Sequence, residues 1–104
     1  MMPKGYWIAR IDVTDAEAYK LYISANAVAF AKFGARFIAR GGDAECMEGT
    51  ARARNVVIEF PTLEAARACY FSPEYATAIA LRQNASNGDL IIMGGYNGLQ
   101  PGEA

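Results

Sequence analysis

The sequence predicts a single α+β domain, and three observations support this fold class. The 104 residues are enough for one modest hydrophobic core but not for two. Short runs rich in branched and aromatic residues, typical of strands, alternate with segments whose apolar residues recur every three or four positions, as in helices. These segments follow the order β-α-β-β-α-β, which is the split βαβ order of ferredoxin-like folds. The helices of such a sandwich cover one face of a four-stranded sheet and leave the other face bare.

The first half of the chain predicts two strands joined by a long helix. Residues 5–13 predict the first strand, and Thr14 and Glu17 have the spacing of a capping box, with Thr14 as the N-cap. Gly34 is a suitable residue to end the helix, and residues 35–40 predict the second strand. The helix between them places one stripe of mainly aromatic residues on a single side: Tyr19, Tyr22, Ile23, Asn26, Phe30 and Phe33.

The second half predicts a strand, two short helices and a last strand. Residues 55–60 form the third strand, and Thr62 caps a helix that ends at about Tyr70. Ser72 caps the next helix, with proline at its first position, and residues 89–95 form the fourth strand. The domain core therefore spans about residues 4–95 of the single domain 1–104, followed by a C-terminal tail that we expect to be frayed.

Charge and composition exclude several classes of function. Ten basic and eleven acidic residues give a net charge of −1 without a basic run, so we expect neither nucleic acid nor a membrane as a partner. The absence of histidine excludes Ser-His and Cys-His catalysis and histidine-ligated zinc or haem. The acidic residues Asp43, Glu45 and Glu48 lack the spacing of a calcium loop, so we expect no metal and no cofactor. Without a signal or transmembrane segment, the expected location is the cytoplasm.

The high apolar fraction predicts a second buried surface. Hydrophobic residues make up 53% of the chain, more than one small core can hide, and a homodimer interface is the simplest explanation. Strand alternation places a mixture of apolar and charged residues on the bare face of the sheet. The charged residues of this set are Arg10, Asp12, Arg36, Arg40 and Glu59.

These charges leave two functions open. Buried arginines require carboxylate partners or an anionic ligand, so the set could be an interfacial salt-bridge network or part of a small-molecule site. In the ligand hypothesis, Arg40 or Arg10 anchors an acidic or carbonyl group, and Glu59 moves a proton. Further candidates for contacting the ligand come from the helices: Tyr19, Tyr22, Asn26, Tyr75 and Arg82. A redox role for Cys46 or Cys69 is a third alternative, and it requires a reactive, exposed thiolate.

The sequence also resembles a small bacterial family known as domain of unknown function 1330. The matching blocks are residues 4–8, 12–15, 36–42, 59–66 and 70–75. The resemblance extends from Lys4 to about Gly94 and departs from the family pattern around Cys46 and in residues 51–54. It implies a ferredoxin-like fold and a dimeric α/β barrel, in which two sheets pack across a two-fold axis. Related barrels include cofactor-free monooxygenases, lactone isomerases and haem enzymes, which is an analogy of fold alone.

Overall fold

A computed structural model describes residues 2–103 and shows a four-stranded sheet with three helices on one face. The elements in chain order are β1 (Gly5–Val13), α1 (Ala16–Lys32), β2 (Arg36–Arg40), β3 (Arg54–Phe60), α2 (Leu63–Tyr70), α3 (Pro73–Arg82) and β4 (Ser86–Gly94). The strands lie in the order β2-β3-β1-β4, and every neighbouring pair is antiparallel. This is the ferredoxin-like α+β fold that the element order predicts.

The N-cap of α1 differs from the prediction by one residue. The backbone amides of Thr14 and Asp15 both donate to the carbonyl of Ala85, at 2.8 and 3.1 Å, which ties both residues to the start of β4. Thr14 therefore stays outside the helix, and the Asp15 carboxylate accepts from the amide of Ala18 instead. Within the described residues no helix has both the length and the apolar character that a membrane crossing requires.

The other helix ends follow the predicted signals. Thr62 caps α2 and Ser72 caps α3, each by accepting a backbone amide hydrogen bond, and Pro73 is the first residue of α3. Gly34, just after α1, has a φ of +72°, which a residue with a Cβ atom rarely adopts. β4 begins at Ser86, earlier than predicted, because its ladder with β1 continues as far as the pair Val13–Ser86.

Trp7 lies at the centre of the core between the sheet and the helices. Its indole nitrogen donates to the carbonyl of Ala66 at 2.8 Å, which fixes α2 against β1. The indole ring makes edge-on contacts with Phe30, Tyr70 and Tyr75, so one side chain from each of the three helices meets it. Gly5 allows α2 to start close to β1, because a Cβ atom there would lie 2.5 Å from the Thr62 carbonyl oxygen.

The sheet has two faces of different character. The residues that point towards the helices are largely buried, as the strand alternation predicts: Trp7, Ala9, Ile11, Val56, Ile58 and Phe60. On the opposite face, Ile8 of β1 lies between Val57 of β3 and Ile91 of β4. We call this second surface the open face. It also carries Tyr6, whose strand neighbours are Glu59 and Met93.

A β-bulge in β2 changes which way the end of this strand faces. Phe37 pairs with Ile58, but the next pair is Ala39 with Val57, so one extra residue, Ile38, is accommodated in β2. Arg40 consequently pairs with Val56, a residue of the helix-covered face. The sequence-based prediction assumed uninterrupted alternation along β2, and it therefore placed Arg40 on the bare face and Ala39 on the helix side. Both placements are wrong, because the bulge reverses the alternation after Phe37.

Candidate functional site

A pocket lies between the helix-covered face of the sheet and the helices α1 and α3. The enclosed cavity is about 30 Å³, and about 390 Å³ when its open mouth is counted. The enclosed part is therefore narrow, and a ligand larger than a few atoms would also occupy the mouth. The floor consists of apolar side chains from the sheet: Trp7, Ala9, Ile11, Val56, Ile58 and Leu90.

The predicted stripe of α1 forms one wall of the pocket. Tyr19, Tyr22, Asn26 and Phe30 all line it, as does the partly buried Ile23. Asn26 is 4% exposed, and its side-chain amide makes no hydrogen bond to any of the described residues. A buried amide normally has hydrogen-bond partners, so the pocket contains polar groups that the protein itself does not satisfy.

Three arginines surround the apolar floor. Arg40, Arg54 and Arg82 come from β2, β3 and α3, respectively. Each guanidinium lies over an aromatic ring. The central carbon of Arg40 is 3.9 Å from the centroid of the Phe37 ring. The corresponding distance is 5.7 Å from Arg54 to Tyr19 and 5.5 Å from Arg82 to Tyr22. Such cation–π contacts orient a guanidinium without neutralising its charge.

None of these three arginines forms an ion pair with a carboxylate in the described part of the chain. The Nε atoms of Arg54 and Arg82 are moreover buried without a hydrogen-bond partner among residues 2–103. The pocket lining therefore combines three positive charges with no described acidic residue. Arg40 is exposed, and Arg54 and Arg82 are half-buried with buried Nε atoms that lack a partner among the described residues. A cluster of positive charges with unused donors favours an anionic occupant.

Two tyrosines are hydrogen bonded behind the pocket wall. The hydroxyl groups of Tyr22 and Tyr75 lie 2.7 Å apart, and Tyr75 is completely buried. Burial raises the pKa of Tyr75 well above its ordinary value, against the opposing effect of the nearby Arg82 guanidinium. Burial also raises the pKa of Tyr19, although Arg54 opposes this shift. Both tyrosines therefore remain protonated near neutral pH and can act as hydrogen-bond donors.

The structure divides the sequence-predicted site residues between the two faces of the sheet. Arg40, Tyr19, Tyr22, Asn26 and Arg82 line the pocket, and Tyr75 lies behind Tyr22. Two predicted residues do not join them. Arg10 and Glu59 lie on the open face, so the pocket is on the other side of the sheet from the cleft that we predicted.

Most of the open-face charges have partners within the chain. Tyr6 donates from its hydroxyl to Glu59 at 3.2 Å, and Lys4 approaches the same carboxylate to 4.0 Å. Arg10 donates to the carbonyl of Thr50 at 2.8 Å, in the loop between β2 and β3. Arg52 of that loop forms ion pairs with two strand residues, Asp12 at 2.7 Å and Asp89 at 3.1 Å. These contacts hold the loop against the sheet.

Asp12 also binds the backbone of the loop between β2 and β3. Its carboxylate accepts from the backbone amide of Ala53, and this hydrogen bond is the main reason why the pKa of Asp12 is lowered. Arg52 lowers it further. A carboxylate with these partners acts as a structural acceptor rather than as a base.

Arg54 is the pocket residue that the sequence reasoning missed. It was included only in residues 51–54, a turn that departs from the family pattern. The signal was nevertheless present, since Arg54 stands two residues before Val56 and four before Ile58, on the same side of β3. Extending the alternation of this strand by one step would have placed Arg54 on the helix side.

The cysteines do not support a redox site at Cys69. Cys69 is fully buried, and burial raises the pKa of its thiol to about 12, so the reactive thiolate is rare at neutral pH. Cys46 is exposed, and its thiol donates to the carbonyls of Glu48 and Gly49. Among residues 2–103 no group of three or more metal-ligating side chains is close enough together to hold a metal ion.

These features define a ferredoxin-like α+β protein with a cationic pocket between its sheet and its helices. The chain belongs to the DUF1330 family, a domain of unknown function, whose model matches residues 4–96. None of the curated proteins matches the sequence. The resemblance found in the sequence is thereby confirmed.

Solved structures share the fold at low sequence identity. The protein RPA0582 of unknown function from Rhodopseudomonas palustris is 19% identical, with a TM-score of 0.74 over 97% of this chain and 86% of that one. SnoaB, a cofactor-independent oxygenase from Streptomyces nogalater, is 14% identical, with a TM-score of 0.63 over 97% and 99%. A dimeric ferredoxin-like protein of unknown function from Thermobifida fusca is 17% identical, with a TM-score of 0.61 over 90% and 92%. At these identities the similarity shows the fold alone.

Proposed function

We propose that this protein is a homodimer that binds a small acidic or carbonyl-bearing molecule in the pocket between its sheet and its helices. The observation that carries the proposal is the lining of this pocket, where Arg40, Arg54 and Arg82 have no carboxylate partner. An anionic group on the ligand would supply the missing charge, and the apolar floor would hold the rest of the molecule.

The pocket also limits the chemistry. No carboxylate among the described residues lines it, so a general base of that kind is not at hand. Glu59, the base suggested by the sequence, is on the other face of the sheet and hydrogen bonded to Tyr6. In this proposal Arg40 anchors the anionic group of the ligand. Because no carboxylate base among the described residues lines the pocket, a substrate would react in its own ionised form. The similarity in fold to SnoaB, a cofactor-independent oxygenase, makes oxygenase-like or proton-transfer chemistry without a cofactor the reaction class to test.

The open face serves assembly in this proposal. Ile91 is 55% exposed and Met93 46% exposed, and both lie in the patch around Ile8. A second copy of the chain packed on this patch would remove it from water, and the similar proteins from Thermobifida fusca and Bacteroides fragilis are described as dimeric. The runner-up function, a dimer without a ligand, shares this interface but leaves the charges of the pocket unexplained.

We also place the protein in the cytoplasm. Cys46 and Cys69 are both free, and Cys46 is exposed. An exposed free thiol persists in a reducing compartment and is readily oxidised outside one.

Ligand binding can be tested with small aromatic carboxylates. A molecule that binds only the folded state raises the melting temperature, so we would screen benzoate, phenylacetate and phenylglyoxylate by thermal shift and measure affinities by calorimetry. We expect Arg40→Ala and Arg82→Ala each to weaken binding by about tenfold or more, since each removes a charge-assisted contact.

The matched control is Arg67→Ala, which removes an exposed arginine of α2 that does not line the pocket. It should leave the affinity unchanged. The proposal is wrong if none of these acids binds, or if Arg67→Ala weakens binding as much as the two pocket variants do.

A further inference from the structure

The chain around Arg54 holds its guanidinium at the pocket. Gly41, directly after β2, has a φ of +67°, and its backbone amide donates to the carbonyl of Asn55 at 2.9 Å. A Cβ atom at Gly41 would lie 2.5 Å from Nη1 of Arg54, so this end of the guanidinium occupies space that only glycine leaves free. The central carbon of the same guanidinium lies 5.7 Å from the centroid of the Tyr19 ring.

Arg82 lies over the neighbouring ring of the same helix. Its central carbon is 5.5 Å from the centroid of Tyr22, and the centroids of Tyr22 and Tyr19 are 5.3 Å apart. Arg54 and Arg82 therefore use two adjacent rings of α1, although they come from β3 and α3. Two like charges on adjacent rings repel each other, and no carboxylate of the described chain forms an ion pair with either.

Both arginines also keep an unused donor. The Nε atom of each is buried without a hydrogen-bond partner among residues 2–103. A guanidinium binds a carboxylate best through two parallel N–H groups, so one carboxylate that is bound in this way satisfies one arginine. To satisfy both arginines in this way takes two carboxylates, or one phosphate group with its three terminal oxygens.

The balance of charge points in the same direction. Arg40 adds a third positive charge to the lining, which has no acidic residue within the described chain. A ligand with one negative charge would leave two of these positive charges without compensation, whereas a ligand with two would leave one. The whole chain has a net charge of −1, so its overall field does not attract anions, and a preference for a dianion has to come from the pocket.

We propose that the pocket selects a ligand with two negative charges, a dicarboxylate or a phosphate monoester, and that Arg54 and Arg82 both bind its anionic groups. Gly41 is a positioning residue, because it leaves the space that the Arg54 guanidinium occupies. The inference rests on the proposed binding function and adds to it the charge of the ligand and the role of Gly41.

The test uses two pairs of probes that differ by one charge at nearly the same size. Benzylsuccinate is compared with its monoamide, and phenyl phosphate with methyl phenyl phosphate, by calorimetry on the purified full chain at about pH 8, where phenyl phosphate is a dianion. We expect the dianion to bind about tenfold more tightly, through additional charge-assisted hydrogen bonds. A preference in both pairs means that the pocket selects charge alone. A preference in one pair identifies the anionic group as carboxylate or phosphate.

Arg54→Gln and Arg82→Gln each remove one charge and keep a polar side chain. We expect each variant to reduce the preference for the dianion about fivefold. Arg67→Gln is the matched control, since Arg67 is exposed on α2 and does not line the pocket, and it should leave the preference unchanged.

Gly41→Ala tests the positioning role, because it displaces the end of Arg54 and keeps its charge. We expect the preference for the dianion to fall about threefold while the affinity for the monoanions stays the same. Combined with Arg54→Gln, it should have no further effect on the preference, since Gly41 acts through Arg54. Gly42→Ala is the matched control, because a Cβ atom at Gly42 would meet no atom of the described chain within 4 Å.

The outcomes separate the two proposals. If both members of each pair bind equally well and Arg82→Gln still weakens them, the dianion inference is overturned and the binding function stands. If Gly42→Ala changes the preference as much as Gly41→Ala does, the role of Gly41 is overturned. If none of the anions binds to the wild-type protein, the binding function itself is overturned.

Discussion

At the scale of single residues, the pocket concentrates polar groups that a protein selected for stability alone would pair or replace. Asn26 is largely buried and its amide has no partner in the described chain, and Arg54 and Arg82 each keep an unpaired buried Nε. The two Nε atoms cost free energy of folding, because their hydrogen bonds to water are lost and not replaced. Groups of this kind are expected where a ligand completes the hydrogen bonding.

The apolar surroundings of the Asn26 amide lead to a stability prediction. Asn26→Leu replaces the amide by an apolar side chain of similar size on an apolar wall, so we expect the free energy of unfolding to rise by about 1 kcal/mol. The measurement is urea denaturation without added ligand. The same variant should bind phenylglyoxylate less tightly than the wild type does. A less stable variant would mean that the amide is already satisfied in the unliganded protein.

The residue scale also shows what the sequence could reveal. Asn26 was identified because an amide inside an aromatic stripe of period 3.6 violates the apolar pattern. Arg54 was missed because it stands at the very start of its strand, where alternation is hardest to read. No pattern in the sequence indicated that Tyr22 and Tyr75 meet, since the hydrogen bond joins residues 53 positions apart.

At the scale of elements, local sequence signals were sufficient to predict the order and type of the helices and strands. They were not sufficient to predict which face of the sheet every strand residue occupies. The caps at Thr62 and Ser72 and the strand β3 follow directly from side-chain chemistry and alternation. The bulge in β2 does not, because it depends on how Phe37 and Ala39 pair with another strand. Arg40 was consequently assigned to the wrong face, and with it the predicted position of the cleft.

The start of α3 offers an element-scale prediction. The Ser72 hydroxyl accepts from the amide of Tyr75 at 3.1 Å and donates to the carbonyl of Cys69 at 2.7 Å, so it joins α2 to α3 in a buried position. Ser72→Ala should lower the free energy of unfolding by about 1–2 kcal/mol, through the lost cap and the lost hydroxyl hydrogen bond to the Cys69 carbonyl, which keeps the backbone amide of Ser72 as a donor at 3.2 Å.

Urea denaturation measures this loss, and Thr77→Ala in the same helix is the matched control. The Thr77 hydroxyl is exposed and makes only a long hydrogen bond of 3.4 Å to the Pro73 carbonyl. We expect Thr77→Ala to change the free energy of unfolding by less than about 0.5 kcal/mol. Equal effects of the two substitutions would contradict the role of Ser72 as a link between the helices.

At the scale of the whole molecule, the two faces of one sheet have separate tasks in our proposals. The helix-covered face holds the pocket, while the open face has an apolar patch with the hydrogen-bonded pair Tyr6 and Glu59 beside it. Strand alternation allows this separation, because neighbouring residues such as Tyr6 and Trp7 belong to different faces. The sequence-based hypothesis placed assembly and ligand binding on the same face, whereas the structure supports one task for each.

The proposed assembly can be tested without disturbing the pocket. Ile91→Asp places a charge in the open-face patch beside Ile8, so we expect it to convert the dimer into a monomer or weaken it at least about tenfold. Multi-angle light scattering after size-exclusion chromatography measures this change. Leu21→Asp is the control, because Leu21 on α1 is 59% exposed, much like Ile91 at 55%, but lies on the helical side of the molecule. A wild-type monomer, or an Ile91→Asp protein that stays fully dimeric, would contradict an interface at the open face.

Because Trp7 lies at the centre of the core, its fluorescence can be used to follow both binding and unfolding. Trp7 is the only tryptophan of the chain, and its ring belongs both to the packed core and to the floor of the pocket. Indole fluorescence depends on the polarity around the ring, so a ligand entering the pocket and water entering the core change the emission of the same fluorophore. Binding and unfolding can thus be followed optically in one unlabelled sample, with no added dye and no engineered probe.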